Sequence, residues 1–185
     1  MISKAHALLK LQNIELDILR VIAAFCSSHN IRWWLDGGTC LGAMCHRGFI
    51  PWDDDIDIGM MRTDYDRFCS LAEGGLPEGY SLHTSRNTAG YAAMFAMVYR
   101  DGTRFENQEH REASSSMGFF VDIFPYDQLY TDRRLRAKQV RTASIAQKRT
   151  YLYHSSTIVV PHVGILGRLE KNRLFRYAFG GMAGV

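Results

Sequence analysis

The stretch Phe49-Ile50-Pro51-Trp52-Asp53-Asp54-Asp55-Ile56-Asp57-Ile58 carries the most information in this chain. Four of its acidic side chains fall within five positions, where an apolar strand is predicted to begin. Like charges repel, and carboxylates lose hydration on a half-buried strand, so this density of acids favours a bound cation. Ligation by carboxylate oxygens alone is typical of Mg²⁺ or Mn²⁺. The sequence therefore predicts a divalent-cation site in this stretch.

The acidic stretch is predicted to be a strand that continues to residue 60. Because side chains alternate between the two faces of a strand, Asp53, Asp55 and Asp57 are expected on one face. Asp54 is expected on the other face, with the isoleucines that point to the core. Asp55 and Asp57 would then lie about 7 Å apart at Cα, which lets their carboxylates converge on a cation between them.

Two other interpretations of the acidic stretch remain. A calcium-binding EF-hand loop also opens with alternating aspartates, but it requires glycine at its sixth position and glutamate at its twelfth. Those positions hold Ile58 and Asp64 here. A solvated acidic turn is the second alternative, and the isoleucines interleaved with the acids argue against it.

A second motif precedes the acidic stretch. Ile31 to Leu35 is predicted to be a short strand, Gly37-Gly38 the turn that ends it, and Thr39 the capping hydroxyl of a short helix. A strand, a glycine turn and a helix start present backbone N–H groups to an anion, most often a phosphate. A phosphate-binding turn and a cation site so close in sequence can act on one substrate.

Asp122 is a third acid of interest, because it interrupts the apolar run Gly118 to Phe124. A charge in a buried strand is costly unless it is compensated. If this strand lies beside the acidic one, Asp122 completes a metal-binding set with Asp55 and Asp57, or acts as a base toward an acceptor hydroxyl. A buried salt bridge to an arginine is the alternative.

The remaining pattern predicts an α+β layout, also describable as mixed α/β, around one mixed sheet with flanking helices and a helical C-terminal region. Helices are expected over about residues 5–29, 64–72, 132–148 and 166–179, and Pro125 is expected to end the strand that contains Asp122. A hairpin is expected in which Asp101-Gly102 turns between strands 94–100 and 104–106. We predict a catalytic core over residues 1–130 and a basic helical extension over residues 131–185.

Charge is distributed unevenly along the 185 residues. Residues 1–130 hold 11 basic and 17 acidic side chains, whereas residues 131–185 hold 11 basic and two acidic ones. The basic part is a solvated helix surface, a contact with a polyanionic substrate, or a peripheral contact with anionic lipid at the inner membrane face. No secretory signal and no membrane span is expected, and the four cysteines are typical of reduced thiols in a cytosolic protein.

The quoted motifs resemble those of the LicD family, which is related to fukutin. The similarity extends over Trp34 to Leu129 and rests on Leu35 to Ala43, on His46 to Gly59 and on Gly118 to Pro125. It implies a nucleotidyltransferase-like fold in which a Gly-Gly turn binds phosphate and carboxylates on neighbouring strands bind Mg²⁺. It also implies phosphotransfer, most often of phosphocholine from CDP-choline onto a cell-surface glycan, such as lipopolysaccharide, or a teichoic-acid precursor.

The resemblance assigns roles to individual residues. Asp55 and Asp57 match the metal-binding pair, Asp122 the third carboxylate, and Gly37 with Gly38 the phosphate turn. We also expect Arg47 to clamp a phosphate oxygen, Thr39 to line the phosphate turn, and Trp52 to stack on a base or on cationic choline. The implied partners are a CDP-choline-like donor and a glycan or polyol-phosphate acceptor, with no nucleic acid.

Two features depart from the family pattern. Met97 stands where members often carry a lysine, and Arg100 or Arg104 is expected to take over its phosphate contact. A Tyr-Gly-containing segment typical of the C-terminal part of members is absent from this sequence, so we expect a truncated or short form. Two further functions stay open: a non-catalytic module that binds a nucleotide or phosphoglycan, and a Mg²⁺-dependent glycosyltransferase with an Asp-x-Asp motif.

Overall fold

The computed structural model of the chain describes residues 3–89, 91, 93–105 and 117–154. The helices within these ranges are α1 (Lys4–Ser28), α2 (Gly37–His46), α3 (Arg62–Ala72) and α4 (Arg133–His154). The strands are β1 (Trp34–Leu35), β2 (Asp57–Met61), β3 (Tyr80–His83), β4 (Ala96–Phe105) and β5 (Met117–Tyr126). They form a sheet in the order β1-β2-β5-β4-β3, in which β2 and β5 are parallel and the other neighbours antiparallel. The predicted α+β class with one mixed sheet is confirmed.

The core lies between one face of the sheet and the helices α1 and α3. Ile58 of β2 and Ile123 of β5 are fully buried there, and complete burial of such a side chain stabilises the fold by about 1.5–3 kcal/mol. Because strand side chains alternate, the preceding residues Asp57 and Asp122 point to the opposite face. Side chains from both helices complete the core, among them Ile18, Ile22, Phe25, Tyr65 and Phe68.

The described elements fall into two compact units. The first contains α1, α2, α3 and the five strands of the sheet, and the second contains α4 and the segment Thr84–Met94. The predicted division near residue 130 stays a prediction. None of the helices in the described ranges combines the length and apolar character needed to cross a membrane. The helix predicted over 132–148 corresponds to α4, and the one predicted over 166–179 lies outside the described residues.

The predicted hairpin at Asp101-Gly102 is wrong. β4 runs through this dipeptide without reversing, with Gly102 at φ +74° and an irregular register between Arg100 and the end of the strand. The Thr103 hydroxyl donates to the Arg100 carbonyl at 2.5 Å and accepts from the Phe119 N–H at 2.8 Å, which ties β5 to the irregular segment. Asp-Gly supplies positive φ to a β-bulge as readily as to a tight turn.

Two strand predictions also need correction. β3 was not predicted, although Tyr80–His83 follows Gly79, which has φ +87° and breaks the preceding segment. β5 does not end at Pro125, because that residue still pairs with Met60 of β2 and the strand continues to Tyr126. The pairing is parallel with β2 on this side, and the missing proline N–H removes only one donor.

Candidate functional site

Two of the predicted carboxylates lie side by side on adjacent parallel strands. Asp57 is the first residue of β2 and is in register with Asp122 of β5. The Asp122 N–H donates to the Ile56 carbonyl at 2.9 Å, and the Asp36 N–H donates to the Asp57 carbonyl at 2.9 Å. This ladder fixes the backbone on both sides of Asp57. Residues in register on neighbouring strands point to the same face, so both carboxylates leave the sheet together.

The acids at 53–55 do not lie on a strand. Residues 53–56, the acidic loop, precede β2, and the Asp53 N–H donates to the Ile50 carbonyl at 2.9 Å. Without strand alternation, the predicted placement of Asp54 on the opposite face is wrong. Carboxylate oxygens of Asp53, Asp54 and Asp55 lie within 4.8 Å of one another. Asp54 is exposed, and its two neighbours are half-buried.

Gly37 and Gly38 are the first two residues of α2 and do not form a separate turn. Gly37 has φ +46°, and a Cβ placed on it would lie 3.0 Å from Oδ2 of Asp57. A Cβ on Gly38 would lie 2.9 Å from Oδ2 of Asp53. The glycines therefore let both carboxylates approach the helix N-terminus, whose partial positive charge stabilises them. The phosphate contact of these glycines stays a prediction.

Thr39 was predicted to supply the capping hydroxyl of α2, and this prediction is wrong. The N-cap residue is Asp36, which makes no side-chain capping hydrogen bond. The Thr39 hydroxyl oxygen instead accepts from the Asp57 N–H at 2.8 Å. Thr39 thus joins the first turn of α2 to the first residue of β2 and holds the backbone of Asp57. A role in lining a phosphate site stays a prediction.

The acids of the site raise one another's pKa. Burial, followed by repulsion from Asp57 and Asp55, raises the pKa of Asp122 to about 8. Burial and then Asp55 raise the pKa of Asp57 to about 6, and burial with Asp53 and Asp54 raises the pKa of Asp55. None of the ion pairs formed by described residues includes these acids. The site therefore carries negative charge that the described side chains leave uncompensated.

The donor set fits a hard divalent cation. Oδ1 of Asp122 is buried without a hydrogen-bond partner, and the arginine salt bridge considered as its alternative is absent among the ion pairs of the described residues. Carboxylate oxygens are the ligands that Mg²⁺ and Mn²⁺ prefer. Asp55, Asp57 and Asp122 interact electrostatically with one another. The chemistry of these carboxylates suits such a cation, but the carboxylates whose oxygens lie within 4.8 Å of one another are Asp53, Asp54 and Asp55. Cation binding by Asp55, Asp57 and Asp122 stays a prediction.

The other residues predicted to contact substrate lie around the acids, and none of the ion pairs among the described residues joins them to Asp55, Asp57 or Asp122. Arg47 is exposed and ends α2 with a left-handed backbone, φ +58°. Trp52 is 77% exposed, one residue before the acidic loop. Met97 lies opposite Asp122 on β4 and is 8% exposed, so a thioether occupies the position where the resemblance implied a lysine. Arg100 places its guanidinium 4.6 Å from the ring centre of Tyr80, a contact that the sequence did not predict.

Sequence reasoning missed Gln12 and Glu15, two polar residues in the buried stripe of α1. Gln12 is 8% exposed and donates from Nε2 to the Asp53 carbonyl at 2.8 Å. Glu15 is 2% exposed, and its Oε2 has no hydrogen-bond partner. Glu15 lies three residues after Gln12 and three before the buried Ile18, and this spacing of neighbouring helix positions was the available signal. Polar residues in a core-facing phase indicate a contact with another polar group.

Asp36 is also part of the site, although the motif alone did not indicate its role. Its Oδ2 accepts a 2.5 Å hydrogen bond from the hydroxyl of Tyr126, at the far end of β5. The Tyr126 ring meets the indole of Trp34 edge-on, with 5.1 Å between ring centroids. That indole covers Gly59 of β2 so closely that a Cβ at this position would collide with it. These contacts lock β1, β2 and β5 together beside the acids.

Comparison with known proteins gives a consistent result. Residues 30–165 match the family model described as LicD/FKTN/FKRP, nucleotidyltransferase domain. The chain is 37% identical over 117 residues to the lipopolysaccharide cholinephosphotransferase LicD of Haemophilus influenzae, a match that covers 63% of this chain and 43% of that protein. It is 40% identical over 48 residues to the human ribitol 5-phosphate transferase FKRP, or 26% of this chain and 10% of that protein.

A further match is to the mouse ribitol-5-phosphate transferase FKTN, with 35% identity over 63 residues, 33% of this chain and 14% of that protein. The matched segments thus span less than half the length of each of these relatives. The family model, in contrast, covers most of this chain and includes β1, α2, the acidic loop, β2 and β5. The chain therefore belongs to the LicD/FKTN/FKRP nucleotidyltransferase-domain family.

Proposed function

We propose that this chain is a metal-dependent phosphotransferase that moves a phosphate-linked group, most favourably phosphocholine from CDP-choline, onto a glycan or polyol-phosphate acceptor. The observation that carries the proposal is the in-register pair Asp57 and Asp122, with Asp57 beside the N-terminus of α2 and without a basic partner in the described part of the chain. Asp55 interacts electrostatically with both acids. The named activities of LicD, FKRP and FKTN support transfer of a phosphate-linked group. The name of LicD, a lipopolysaccharide cholinephosphotransferase, supports phosphocholine as the transferred group and lipopolysaccharide as the acceptor.

In the proposed reaction, the acceptor hydroxyl oxygen bonds to the phosphorus of phosphocholine. The bond from that phosphorus to the oxygen of the CMP phosphate breaks, and CMP leaves with the electron pair. Asp55, Asp57 and Asp122 would hold Mg²⁺ or Mn²⁺, which when bound neutralises the diphosphate and the departing CMP. Asp122 would either help to hold the cation or, when ionised, accept the hydroxyl proton at its unpartnered Oδ1 and pass it to solvent. The chain would otherwise act by positioning, because no covalent enzyme intermediate is needed.

Two exposed side chains are suited to donor binding. Trp52 presents most of its indole to solvent beside the acidic loop, and an indole face attracts a quaternary ammonium such as choline. Arg47, exposed at the end of α2, would contact a phosphate oxygen. Trp52→Ala should raise KM for CDP-choline about 5- to 30-fold, as expected for about 1–2 kcal/mol of cation–π attraction. An equal rise in KM for CDP-ribitol would show that Trp52 does not recognise the choline group.

The proposal includes transfer in the cytoplasm, with peripheral contact at the inner membrane face. Within α4, residues 133–154 include seven basic and no acidic side chains. Arg133, Arg134 and Arg136 are exposed, and each cation near an anionic bilayer contributes about 1 kcal/mol of binding. Replacing these three arginines by glutamine should weaken binding to phosphatidylserine vesicles about 100-fold. Unchanged binding would remove the membrane contact and leave the transferase proposal intact.

A donor screen tests the main proposal. Released CMP is measured with CDP-choline and then CDP-ribitol, with Mg²⁺ or with EDTA, in the presence of a glycan acceptor. We expect Mg²⁺-dependent CMP release that Asp57→Asn lowers about 100-fold or more, the scale for loss of a group that stabilises transition-state charge. Asp17→Asn, which changes an exposed acid paired with Arg20 on α1, is the matched control and should retain full activity. Full activity of Asp57→Asn, or equal activity in EDTA, would contradict the proposal.

A further inference from the structure

Gln12 of α1 is a buried amide to which the proposed transfer reaction gives no role. It lies on the buried face of the helix, which also carries Ile18 and Ile22. A buried amide is costly unless it forms hydrogen bonds, and an apolar side chain of the same size would pack there without that cost. The hydrogen bond that Gln12 makes is therefore the interaction that compensates its burial.

That hydrogen bond reaches the first residue of the acidic loop. Nε2 of Gln12 donates to the Asp53 carbonyl at 2.8 Å, across 41 positions of the sequence. At the other end of the loop, the Ile56 carbonyl accepts from the Asp122 N–H at 2.9 Å. The loop is thus joined to α1 at its start and to β5 at its end, and its two remaining acids lie between these hydrogen bonds.

The acidic loop needs such a constraint because its acids are crowded. Carboxylate oxygens of Asp53, Asp54 and Asp55 lie within 4.8 Å of one another, and like charges at this distance repel. Sheet pairing of β2 begins only at Asp57. The carboxylate of Asp53 lies against the first turn of α2, where a Cβ on Gly38 would be 2.9 Å from its Oδ2. The loop backbone is therefore held by individual contacts from the two helices and β5.

We propose that Gln12 is a positioning residue, whose hydrogen bond to the Asp53 carbonyl fixes the start of the acidic loop. With the loop fixed there, Asp55 can share a cation with Asp57 and Asp122, so this inference rests on the proposed function. α1 precedes residues 30–165, which the family model matches, and the contact therefore adds to the matched motifs. Without the amide donor, the start of the loop is released and the cation is held less tightly.

Replacement of Gln12 by methionine tests this role, because methionine has a similar length and volume but no N–H donor. The matched control is Asn13→Leu, since the Asn13 amide also donates to a backbone carbonyl at 2.8 Å, but to Leu9 of its own helix. Amide hydrogen exchange of the metal-free chain is followed by mass spectrometry, and Mn²⁺ affinity by electron paramagnetic resonance.

We expect Gln12→Met to speed exchange in the peptide that covers residues 50–56 about 3- to 10-fold, the scale for loss of one hydrogen bond. Mn²⁺ binding should weaken by a similar factor. Exchange in α3 should not change, and Asn13→Leu should change neither exchange nor Mn²⁺ affinity. A rise in exchange as large in α3 as in the loop would show a general loss of stability and would overturn the positioning role.

A second variant keeps the test decisive if Gln12→Met fails to fold. Gln12→Asn retains the amide but is one methylene shorter, so it should lose the bond to Asp53 and give the same changes. Unchanged loop exchange or unchanged Mn²⁺ affinity in either folded variant would overturn the positioning role, while Mg²⁺-dependent CMP release by the unchanged chain would leave the proposed function standing. Weakened Mn²⁺ binding with faster loop exchange, in a chain that releases no CMP, would support the positioning role and count against the proposed function.

Discussion

Replacement of Asp122 by asparagine should stabilise the metal-free protein. Burial and the neighbouring acids raise the pKa of Asp122 from 3.8 to about 8 in the folded chain, whereas the unfolded chain has the ordinary value. The folded state then binds the proton more tightly. The stabilisation from this proton is present below about pH 4 and is lost as the pH rises through about 8. Near pH 7, folding must therefore protonate a carboxyl that is ionised in the unfolded chain.

The size of the stabilisation follows from the difference between the pH of the assay and the ordinary pKa of an aspartate in the unfolded chain. Near pH 7 that difference is about 3 units. At about 1.36 kcal/mol per unit, protonation of Asp122 lowers the free energy of unfolding by an amount on the order of 4 kcal/mol. An asparagine side chain at this position has no proton to take up and would not carry this cost. Asp122→Asn should therefore raise the free energy of unfolding by about 4 kcal/mol near pH 7, and by less than about 1 kcal/mol near pH 4.

Urea denaturation followed by circular dichroism, in buffers with EDTA, measures this difference at both pH values. Glu73→Gln is the matched control, because Glu73 is exposed at the end of α3 and should change stability little at either pH. Added Mg²⁺ should stabilise the unchanged chain more than the Asp122→Asn variant, which lacks one of the proposed ligands. Equal stability of Asp122→Asn and the unchanged chain near pH 7 in EDTA would refute the description of Asp122 as an uncompensated buried acid.

Three further substitutions test the geometry of the site. Gly37→Ala should lower the free energy of unfolding by about 1–2 kcal/mol and weaken Mg²⁺ binding, because Gly37 has φ +46° and the added Cβ would press on the Asp57 carboxylate. The control Gly48→Ala adds a Cβ in open space and should change neither stability nor Mg²⁺ binding. Met97→Lys should place an ammonium opposite Asp122 and lower its pKa by about 1–3 units, measured by NMR titration in EDTA, whereas Met97→Leu should leave it raised. Thr39→Val should weaken Mg²⁺ binding in calorimetry, because the Asp57 N–H loses its acceptor, and Thr39→Ser should retain it.

The sequence predicted the positions of Asp57 on β2 and Asp122 on β5 better than that of the acidic loop, for a physical reason. The placement of Asp57 and Asp122 depends on apolar neighbours with a strict alternation, and that alternation holds in β2 and β5, where Ile58 and Ile123 are buried. The sequence prediction extended this strand alternation to Asp53, four residues before β2 begins. β1 and β5 pair with β2 only from Asp57 onward, and a chain without strand partners has no reason to keep a two-residue period. The side chain of Asp54 therefore lies close to those of its neighbours.

Long-range contacts account for the residues that the sequence did not reveal. The bond between Tyr126 and Asp36 joins residues 90 positions apart, and no local pattern encodes it. Glu15 was visible in principle, because it shares a helical face with Ile18 and Ile22, but a single polar residue on an apolar stripe does not show what it faces. Only the packing of α1 against the acidic loop, made explicit by the bond from Gln12 to Asp53, supplies that information.

The uncompensated acids also connect stability with function. A site that must attract a divalent cation needs carboxylates that are poorly neutralised by the protein, and such carboxylates oppose folding until the cation binds. Asp122 shows both sides of this relation: the residue opposite it is Met97, which offers no positive charge, and its pKa is raised to about 8. A basic residue at position 97 would stabilise the metal-free fold but would compete with the cation for Asp122. If the proposed cation binds Asp122, we expect methionine at this position to make the folded state of this chain more dependent on that cation.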